Sequence, residues 1–168
     1  MDRICNVLVV DDDESTRAPL CEFLSAHGYR VRSAGSGAEA LTVIQSATDI
    51  DAVLLDLLMP GMNGFEVLKQ YRDQSGKVPV IVLSALTDAE DVVKAMKLGA
   101  NDYLPKPFEV SELDLVLRRT LDTSPQRRGN AEPKATPRSL SDHAEGDLSV
   151  VATLSPGMAQ VWEMVSRI

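Results

Sequence analysis

The stretch AVLLDLLMPGMNG, residues 52–64, begins as an unbroken apolar run and then places an aspartate, Asp56, directly after it. An apolar run of this kind is typical of a strand that is covered on both faces of a parallel sheet. A carboxylate at the end of such a strand loses hydration, which costs free energy unless a cation or hydrogen bonds compensate for it. The sequence therefore predicts a fold that brings positive charge to Asp56.

Similar apolar and β-branched runs recur along the first 121 residues, and segments with helical periodicity separate them. The predicted strands are VLVV, YRVRSA, AVLLD, VPVIVLS and DYLP, at residues 7–10, 29–34, 52–56, 78–84 and 102–105. The predicted helices span residues 15–26, 37–46, 64–75, 89–98 and 111–121. Strands that alternate with helices imply right-handed crossovers, so we expect an α/β fold with a doubly wound, five-stranded parallel sheet of order 2-1-3-4-5.

Carboxylates follow two strands that this order makes neighbours. Asp11 and Asp12 come directly after the first strand, and Asp56 ends the third. The strand order reverses between these two strands, so the three side chains should meet at one edge of the sheet. Because Mg²⁺ prefers carboxylate and carbonyl oxygens, the pattern favours a Mg²⁺ site. The alternative for the acidic run is a helix N-terminus, to which Asp13 and Glu14 are expected to belong.

Ser84 ends the fourth predicted strand, and Lys106 follows the fifth. Lys106 lies between two prolines in LPKPF, where the Lys106–Pro107 bond is a candidate cis peptide, and its ammonium can neutralise a phosphoryl group. Taken singly, Ser84 fits a strand-end cap and Lys106 a solvated turn residue equally well. Together with the carboxylates, they favour a site for phosphoryl transfer.

The motifs VVDDDE, LLDLLMPGMNGFEVL, IVLSA and GANDYLPKPF resemble, in this order, the receiver domain of bacterial two-component response regulators. The resemblance covers about two-thirds of the chain and implies the flavodoxin-like receiver fold over residues 1–121. It implies that Asp56 is the phosphoacceptor and that Lys106 and Ser84 assist the transfer. The implied ligands of Mg²⁺ are Asp11, Asp12, Asp56 and the backbone carbonyl of Leu58.

The resemblance also implies a function: a sensor histidine kinase donates a phosphoryl group to Asp56, and the domain then switches conformation. Ser84 is the implied switch hydroxyl and Tyr103 the implied switch aromatic, which turns inward after phosphorylation. The change would alter the face formed by helix 4, strand 5 and helix 5, through which family members commonly form homodimers. From the residues alone, Tyr103 fits an ordinary half-buried aromatic better.

Two other classes of function remain open at this point. One is a receiver-like interaction module that is not phosphorylated, although such a module has no need of Lys106 and the full acid set. The other is a phosphatase with an aspartyl nucleophile, but position 58 then usually carries a second acid and here holds Leu58. We therefore expect a phosphoacceptor that is not itself an enzyme. Because Leu58 and Leu86 offer no polar group to an attacking water, we also expect the phosphoryl group to persist for minutes or longer.

The composition changes after residue 121. Residues 122–147 are rich in proline, serine and charge, which predicts a flexible linker. Residues 148–168 regain an apolar period, and ATLSPGMAQVWEMVSRI resembles the start of the AAA+ ATPase domain of sigma-54-dependent activators. No phosphate-binding Gly-rich loop follows, so we expect the start of a truncated output domain. The alternative is a tail helix that docks on another subunit.

Charge and composition indicate which kinds of binding partner are disfavoured. The formal net charge is -8, with 17 Lys and Arg against 25 Asp and Glu, which disfavours direct nucleic-acid binding. Neither a signal peptide nor a membrane-spanning segment is evident, so we expect a cytoplasmic protein without membrane contact. Two cysteines and two histidines lack the spacing of a metal site.

Overall fold

The structure is a computed structural model that describes residues 4–86 and 88–123. Five strands alternate with five helices along these residues. The elements in chain order are β1 Asn6–Val10, α1 Glu14–Ala26, β2 Arg30–Ala34, α2 Gly37–Ser46, β3 Ala52–Asp56, α3 Gly64–Asp73, β4 Val80–Ser84, α4 Ala89–Lys97, β5 Asp102–Pro105 and α5 Val110–Thr123. Within these ranges, no helix is long and apolar enough to cross a membrane.

The strands form one parallel sheet in the order β2-β1-β3-β4-β5, which confirms the predicted fold and strand order. Val10 pairs with Leu55 of β3, so the two strands end side by side. Asp56 in turn pairs with Leu83 of β4, next to Ser84. This register places the residues that follow β1, β3 and β4 at one edge of the sheet.

Helices cover both faces of the sheet. Side chains along each strand alternate between the two faces, so each strand contributes to two cores. In β1, Leu8 and Val10 pack into a core with α2, α3 and α4, whereas Val7 and Val9 pack into a second core with α1 and α5. Both cores leave β1, β3 and β4 fully buried. The continuous apolar runs of these strands therefore follow from burial on two sides.

The helix ends differ from the predictions in several places. Helix α5 begins at Val110, so Ser111 lies inside its first turn, and it continues to Thr123, two residues into the predicted linker. Helix α3 ends at Asp73 because Ser75 adopts a left-handed conformation with φ 63°. The remaining linker, residues 124–147, and the proposed output segment, residues 148–168, lie outside the described residues.

The left-handed Ser75 predicts a stabilising substitution. Its N–H donates to the Arg72 carbonyl at 2.9 Å, and the next N–H, of Gly76, donates to the Tyr71 carbonyl at 3.0 Å, so the turn closes α3. A side chain strains this conformation, and we expect Ser75→Gly to raise the free energy of unfolding by about 1 kcal/mol. Urea unfolding measures the change. As a control, Gly28→Ser, at φ 87° with open space around a Cβ, should lower it comparably; a less stable Ser75→Gly variant contradicts the prediction.

Candidate functional site

The carboxyl ends of four strands bring the predicted site residues together. Asp11 follows β1, Asp56 ends β3, Ser84 ends β4 and Lys106 follows β5. The Lys106 ammonium lies 2.7 Å from Asp11 Oδ2 and 3.4 Å from Asp56 Oδ2. The Lys106 N–H also donates to the Ser84 carbonyl at 2.8 Å. The Lys106–Pro107 bond is cis, as predicted. The positive charge that the sequence required beside Asp56 is therefore Lys106.

Three carboxylates converge beside Lys106. Asp11, Asp12 and Asp56 each offer one oxygen, and these oxygens lie within 4.8 Å of one another. Asp11 and Asp56 are 3% and 6% exposed, whereas Asp12 is exposed and places the cluster at the surface. Such a set of hard oxygen donors suits Mg²⁺, which binds one or two carboxylates and keeps several waters.

The charges of the cluster also fit a divalent cation. In the part of the chain that the structure describes, Lys106 is the cationic side chain that forms ion pairs with these carboxylates. One positive charge therefore faces three acidic groups within a few ångströms. A divalent cation would offset the remaining repulsion, so the donor set and its charge both fit the Mg²⁺ that the sequence predicts.

Burial and neighbouring charges act on the site in opposite directions. Burial raises the pKa of Asp56, and the nearby Asp11 raises it further, while the Lys106 ammonium works against both. Burial alone would lower the pKa of Lys106, but its hydrogen bonds and ion pairs with Asp11 and Asp56 outweigh burial and raise it. Lys106 therefore stays protonated and supplies a permanent positive charge to Asp56.

The turn after β3 fixes the position of Asp56. The Leu58 N–H lies 3.4 Å from Asp56 Oδ1, and Leu58 is 52% exposed. The Gly64 N–H returns to the Leu57 carbonyl at 3.1 Å and starts α3 close to the strand. A Cβ at Gly64 would overlap the Asp56 carbonyl oxygen, so glycine permits this approach. The role of the Leu58 carbonyl as a metal ligand stays a prediction.

Ser84 and Tyr103 are linked through one residue. The Leu86 N–H donates to Ser84 Oγ at 3.2 Å, and the Tyr103 hydroxyl donates to the Leu86 carbonyl. Ser84 is fully buried, and Tyr103 is 3% exposed, with its pKa raised mainly by burial. Tyr103 thus already lies inward in this structure, whereas the resemblance implied that it turns inward after phosphorylation. Ser84 here caps the end of its strand, which is the alternative that the sequence left open.

The acidic run divides between two roles. Asp13 is the N-cap of α1, where its carboxylate accepts the Ser15 N–H at 2.9 Å. Hydrogen bonds from the side chain and backbone of Ser15 lower the pKa of Asp13, which fits a helix cap. Asp12, in contrast, belongs to the acid cluster. The helix-cap interpretation is therefore confirmed for Asp13, whereas the role of Asp12 as a metal ligand stays a prediction.

Sequence reasoning missed Arg17, which lies in α1 and contacts the main chain of the site at Asp11. Its Nη1 donates to the Asp11 carbonyl at 2.5 Å. The acceptor is a main-chain oxygen six residues earlier, so neither the residue type nor the spacing in the sequence signals the contact. An arginine in the first turns of the helix after an acidic run is the one available hint.

The comparisons with known proteins agree with this geometry. Residues 7–118 match the family described as the response regulator receiver domain. The response regulator MprA of a Mycobacterium strain is 40% identical over 130 residues, which are 77% of this chain and 56% of that protein. The DNA-binding response regulator MtrA of Mycobacterium tuberculosis is 42% identical over 127 residues, 76% of this chain and 53% of that protein. This chain thus spans about half the length of these relatives.

Solved structures show the same fold. A CheY-like receiver domain protein from Methanospirillum hungatei superposes with a TM-score of 0.70 at 25% identity, over 76% of this chain and all of that one. NtrX from Brucella abortus, solved in complex with ADP, has a TM-score of 0.68 at 32% identity, over 75% of this chain and 29% of that one. Because MtrA is named as DNA-binding, the comparisons lend no support to the expected absence of nucleic-acid contact.

Proposed function

This chain belongs to the response regulator receiver domain family, and on that premise we propose that it is a phosphorylation-dependent switch of a two-component system. A sensor histidine kinase would donate the phosphoryl group, and Asp56 would accept it. One observation carries the proposal: the Asp56 carboxylate ends a buried strand within 3.4 Å of the Lys106 ammonium and inside a cluster of three acids. This arrangement has a negative nucleophile and fixed positive charge at the same point.

The residues suggest how the transfer proceeds. A carboxylate oxygen of Asp56 attacks the phosphorus of a phosphohistidine, the new O–P bond forms, and the N–P bond breaks as its electron pair returns to the histidine nitrogen. Lys106 holds positive charge beside the oxygens that gain charge. Mg²⁺, held by Asp11, Asp12 and Asp56 with the Leu58 carbonyl as a further ligand, would supply additional positive charge there. The transfer leaves the phosphoryl group on Asp56 and changes the domain itself, so we propose a switch and not an enzyme.

The same site would pass the signal on through Leu86. Ser84 Oγ accepts the Leu86 N–H, and a hydroxyl can donate while it accepts, so a bond donated to a phosphoryl oxygen would draw Ser84, and Leu86 with it, toward Asp56. Movement of Leu86 would disturb its carbonyl, to which Tyr103 donates. Tyr103 belongs to β5, so the change would reach the face of α4, β5 and α5. A phosphoryl group at Asp56 can thereby bias a two-state surface.

The α4-β5-α5 face is the proposed surface for a homodimer. Leu115 of α5 is 62% exposed, and Arg119 forms an ion pair with Asp102 across α5 and β5. The resemblance to the family implies that this face forms homodimers, and Leu115 is an exposed apolar side chain of α5 that a second copy would cover. We propose that the domain acts in the cytoplasm, and that phosphorylation changes the affinity of this face for a second copy.

Transcription is the proposed output, in one of two forms. The C-terminal motif favours a sigma-54-dependent activator with an AAA+ ATPase domain, and the nucleotide-bound neighbour NtrX is consistent with an ATP-binding output. The MtrA relatives instead favour a direct DNA-binding output. A protein that carries the complete output domain distinguishes the two forms: the first form hydrolyses ATP, and the second does not.

Acetyl phosphate tests the acceptor chemistry without the kinase. We expect one phosphoryl group on the unphosphorylated chain by intact-mass spectrometry, formed with Mg²⁺ and absent with EDTA. Hydroxylamine should remove it, since a carboxylate forms an acyl phosphate and serine or threonine forms a stable ester. An adduct that resists hydroxylamine, or that forms equally in EDTA, contradicts the proposal.

The exposed Leu58 predicts a slow loss of the phosphoryl group. Its N–H lies 3.4 Å from Asp56 Oδ1, and its side chain has no polar group to orient an attacking water. We expect Leu58→Asn to shorten the lifetime of the phosphorylated chain by about tenfold or more, because a carboxamide can hold a water in position to attack the phosphorus. The adduct is followed over time by intact mass after acetyl phosphate is removed. Leu58→Met is the matched control and should match wild type; a Leu58→Asn lifetime equal to that of wild type contradicts the prediction.

A further inference from the structure

Arg17 contacts the main chain of the acid cluster, and neither the sequence motifs nor the proposed transfer assigns it a role. Its guanidinium Nη1 reaches back from α1 to the Asp11 carbonyl at 2.5 Å. Asp12 and Asp13 lie in the loop that this contact spans. We propose that Arg17 is a positioning residue that holds the β1–α1 loop so that Asp11 and Asp12 face one Mg²⁺. The inference rests on the Mg²⁺ site of the proposed function.

The loop is held at both main-chain atoms of Asp11. Its N–H donates to the Ala34 carbonyl of β2 at 3.2 Å, and its carbonyl accepts the charged Arg17 donor. The Asp11 side chain then accepts the Asp13 N–H through Oδ1 at 2.9 Å and the Lys106 ammonium through Oδ2 at 2.7 Å. Charge-assisted bonds are stronger than neutral ones, so the Arg17 contact is a strong restraint on this loop.

The guanidinium also contacts the turn after β2, at Gly35. A Cβ added at Gly35 would lie 3.4 Å from Arg17 Nη1 and 3.7 Å from Cζ, so the guanidinium lies over the backbone of the β2–α2 turn. The Gly35 N–H is itself fixed by Glu39 Oε2 at 2.8 Å. Arg17 therefore joins three segments: the end of β1, the start of α1 and the turn after β2.

A positioning role and a purely electrostatic role of Arg17 predict opposite changes in Mg²⁺ affinity when Arg17 is replaced. As a cation near the acid cluster, Arg17 repels Mg²⁺, so its removal should tighten binding if charge were its only effect. As a positioning residue, it organises the ligands, and its removal should weaken binding. Loss of an outer contact to a ligand typically costs about 10–100-fold in metal affinity. The sign of the change in affinity therefore distinguishes the two roles.

Calorimetric titration of the unphosphorylated full chain with MgCl₂ tests the inference. We expect Arg17→Met to raise the Kd for Mg²⁺ by about tenfold. Arg17→Lys keeps the charge and part of the reach, and should fall between wild type and Arg17→Met. Arg30→Met is the matched control, since it removes the same charge from an exposed residue at the start of β2, and should leave the Kd at the wild-type value.

The outcomes separate the inference from the proposed function. A Kd for Arg17→Met that equals or falls below that of wild type overturns the positioning role, while the Mg²⁺ site itself stands. Failure of the wild type to bind Mg²⁺ instead overturns the proposed function. Thermal unfolding in EDTA checks that Arg17→Met folds. If it does not, Arg17→Gln, which is also neutral and keeps a donor, takes its place with the same expected sign.

Discussion

Lys106→Met is expected to slow the phosphorylation of Asp56 by acetyl phosphate by about 100-fold or more. This is the usual cost of removing one fixed donor beside the charge that develops in the transition state. The ammonium lies 2.7 Å from Asp11 Oδ2 and 3.4 Å from Asp56 Oδ2, and among the described residues it is the cationic group that forms ion pairs with these carboxylates. Methionine keeps the unbranched apolar stem and removes the charge. The rate is measured by intact mass at saturating Mg²⁺.

The Kd of Lys106→Met for Mg²⁺ is the control that distinguishes a slower transfer from weaker metal binding. Removal of a positive charge from beside three carboxylates should leave Mg²⁺ binding as tight as in wild type, or tighter. Lys69→Met, the same change at an exposed position of α3, should leave both the rate and the affinity unchanged. A Lys106→Met rate within about threefold of wild type contradicts a role for Lys106 in transition-state stabilisation.

We expect Arg72→Met to lower the free energy of unfolding by about 3 kcal/mol or more, since hydrogen bonds that involve a charged group contribute about 1.5–3 kcal/mol each. The half-buried guanidinium of α3 donates to two loops at once. Its acceptors are the Gly76 carbonyl at 2.7 Å, the Val78 carbonyl at 2.9 Å, the Gly99 carbonyl at 2.9 Å and Asn101 Oδ1 at 3.0 Å. Without Arg72, the loops before β4 and β5 lose their common partner.

Arg118→Met provides the comparison for Arg72. Arg118 is 61% exposed and pairs with Asp114 at 2.8 Å, one turn earlier on α5. An exposed pair of this kind contributes about 0.2–1 kcal/mol, so its loss should have a small effect on stability. Guanidinium chloride unfolding at fixed pH gives both values. Equal losses for Arg72→Met and Arg118→Met contradict the proposed structural role of Arg72.

The sheet could be predicted because its strands carry their own signal. β1, β3 and β4 are buried on both faces, and this burial requires continuous apolar runs such as VLVV and AVLL. The site could be predicted for a related reason. Charged residues at the ends of such runs have no place in the core, so Asp11, Asp56 and Lys106 had to meet at the edge that the strand order defines.

Contacts with main-chain atoms could not be predicted. Arg17 and Arg72 both donate to carbonyls, and every residue has a carbonyl, so the sequence does not show which one a guanidinium reaches. The inward position of Tyr103 has the same origin, since its partner is the Leu86 carbonyl. Helix α5 starts at Val110, one residue before the predicted start at Ser111. Helix ends depend on local backbone geometry, to which residue type is a weak guide.

The most direct test is to ask which residue carries the phosphoryl group. Wild type, Asp56→Asn and Asp49→Asn are incubated with acetyl phosphate and Mg²⁺, and their intact masses are then measured by mass spectrometry. Asp49 is exposed and pairs with Arg32, so its replacement makes the same chemical change away from the site. We predict one phosphoryl group on wild type and on Asp49→Asn, and none on Asp56→Asn. An equal adduct on Asp56→Asn, or no adduct on wild type that binds Mg²⁺, contradicts the phosphoacceptor assignment and favours an interaction module that is not phosphorylated.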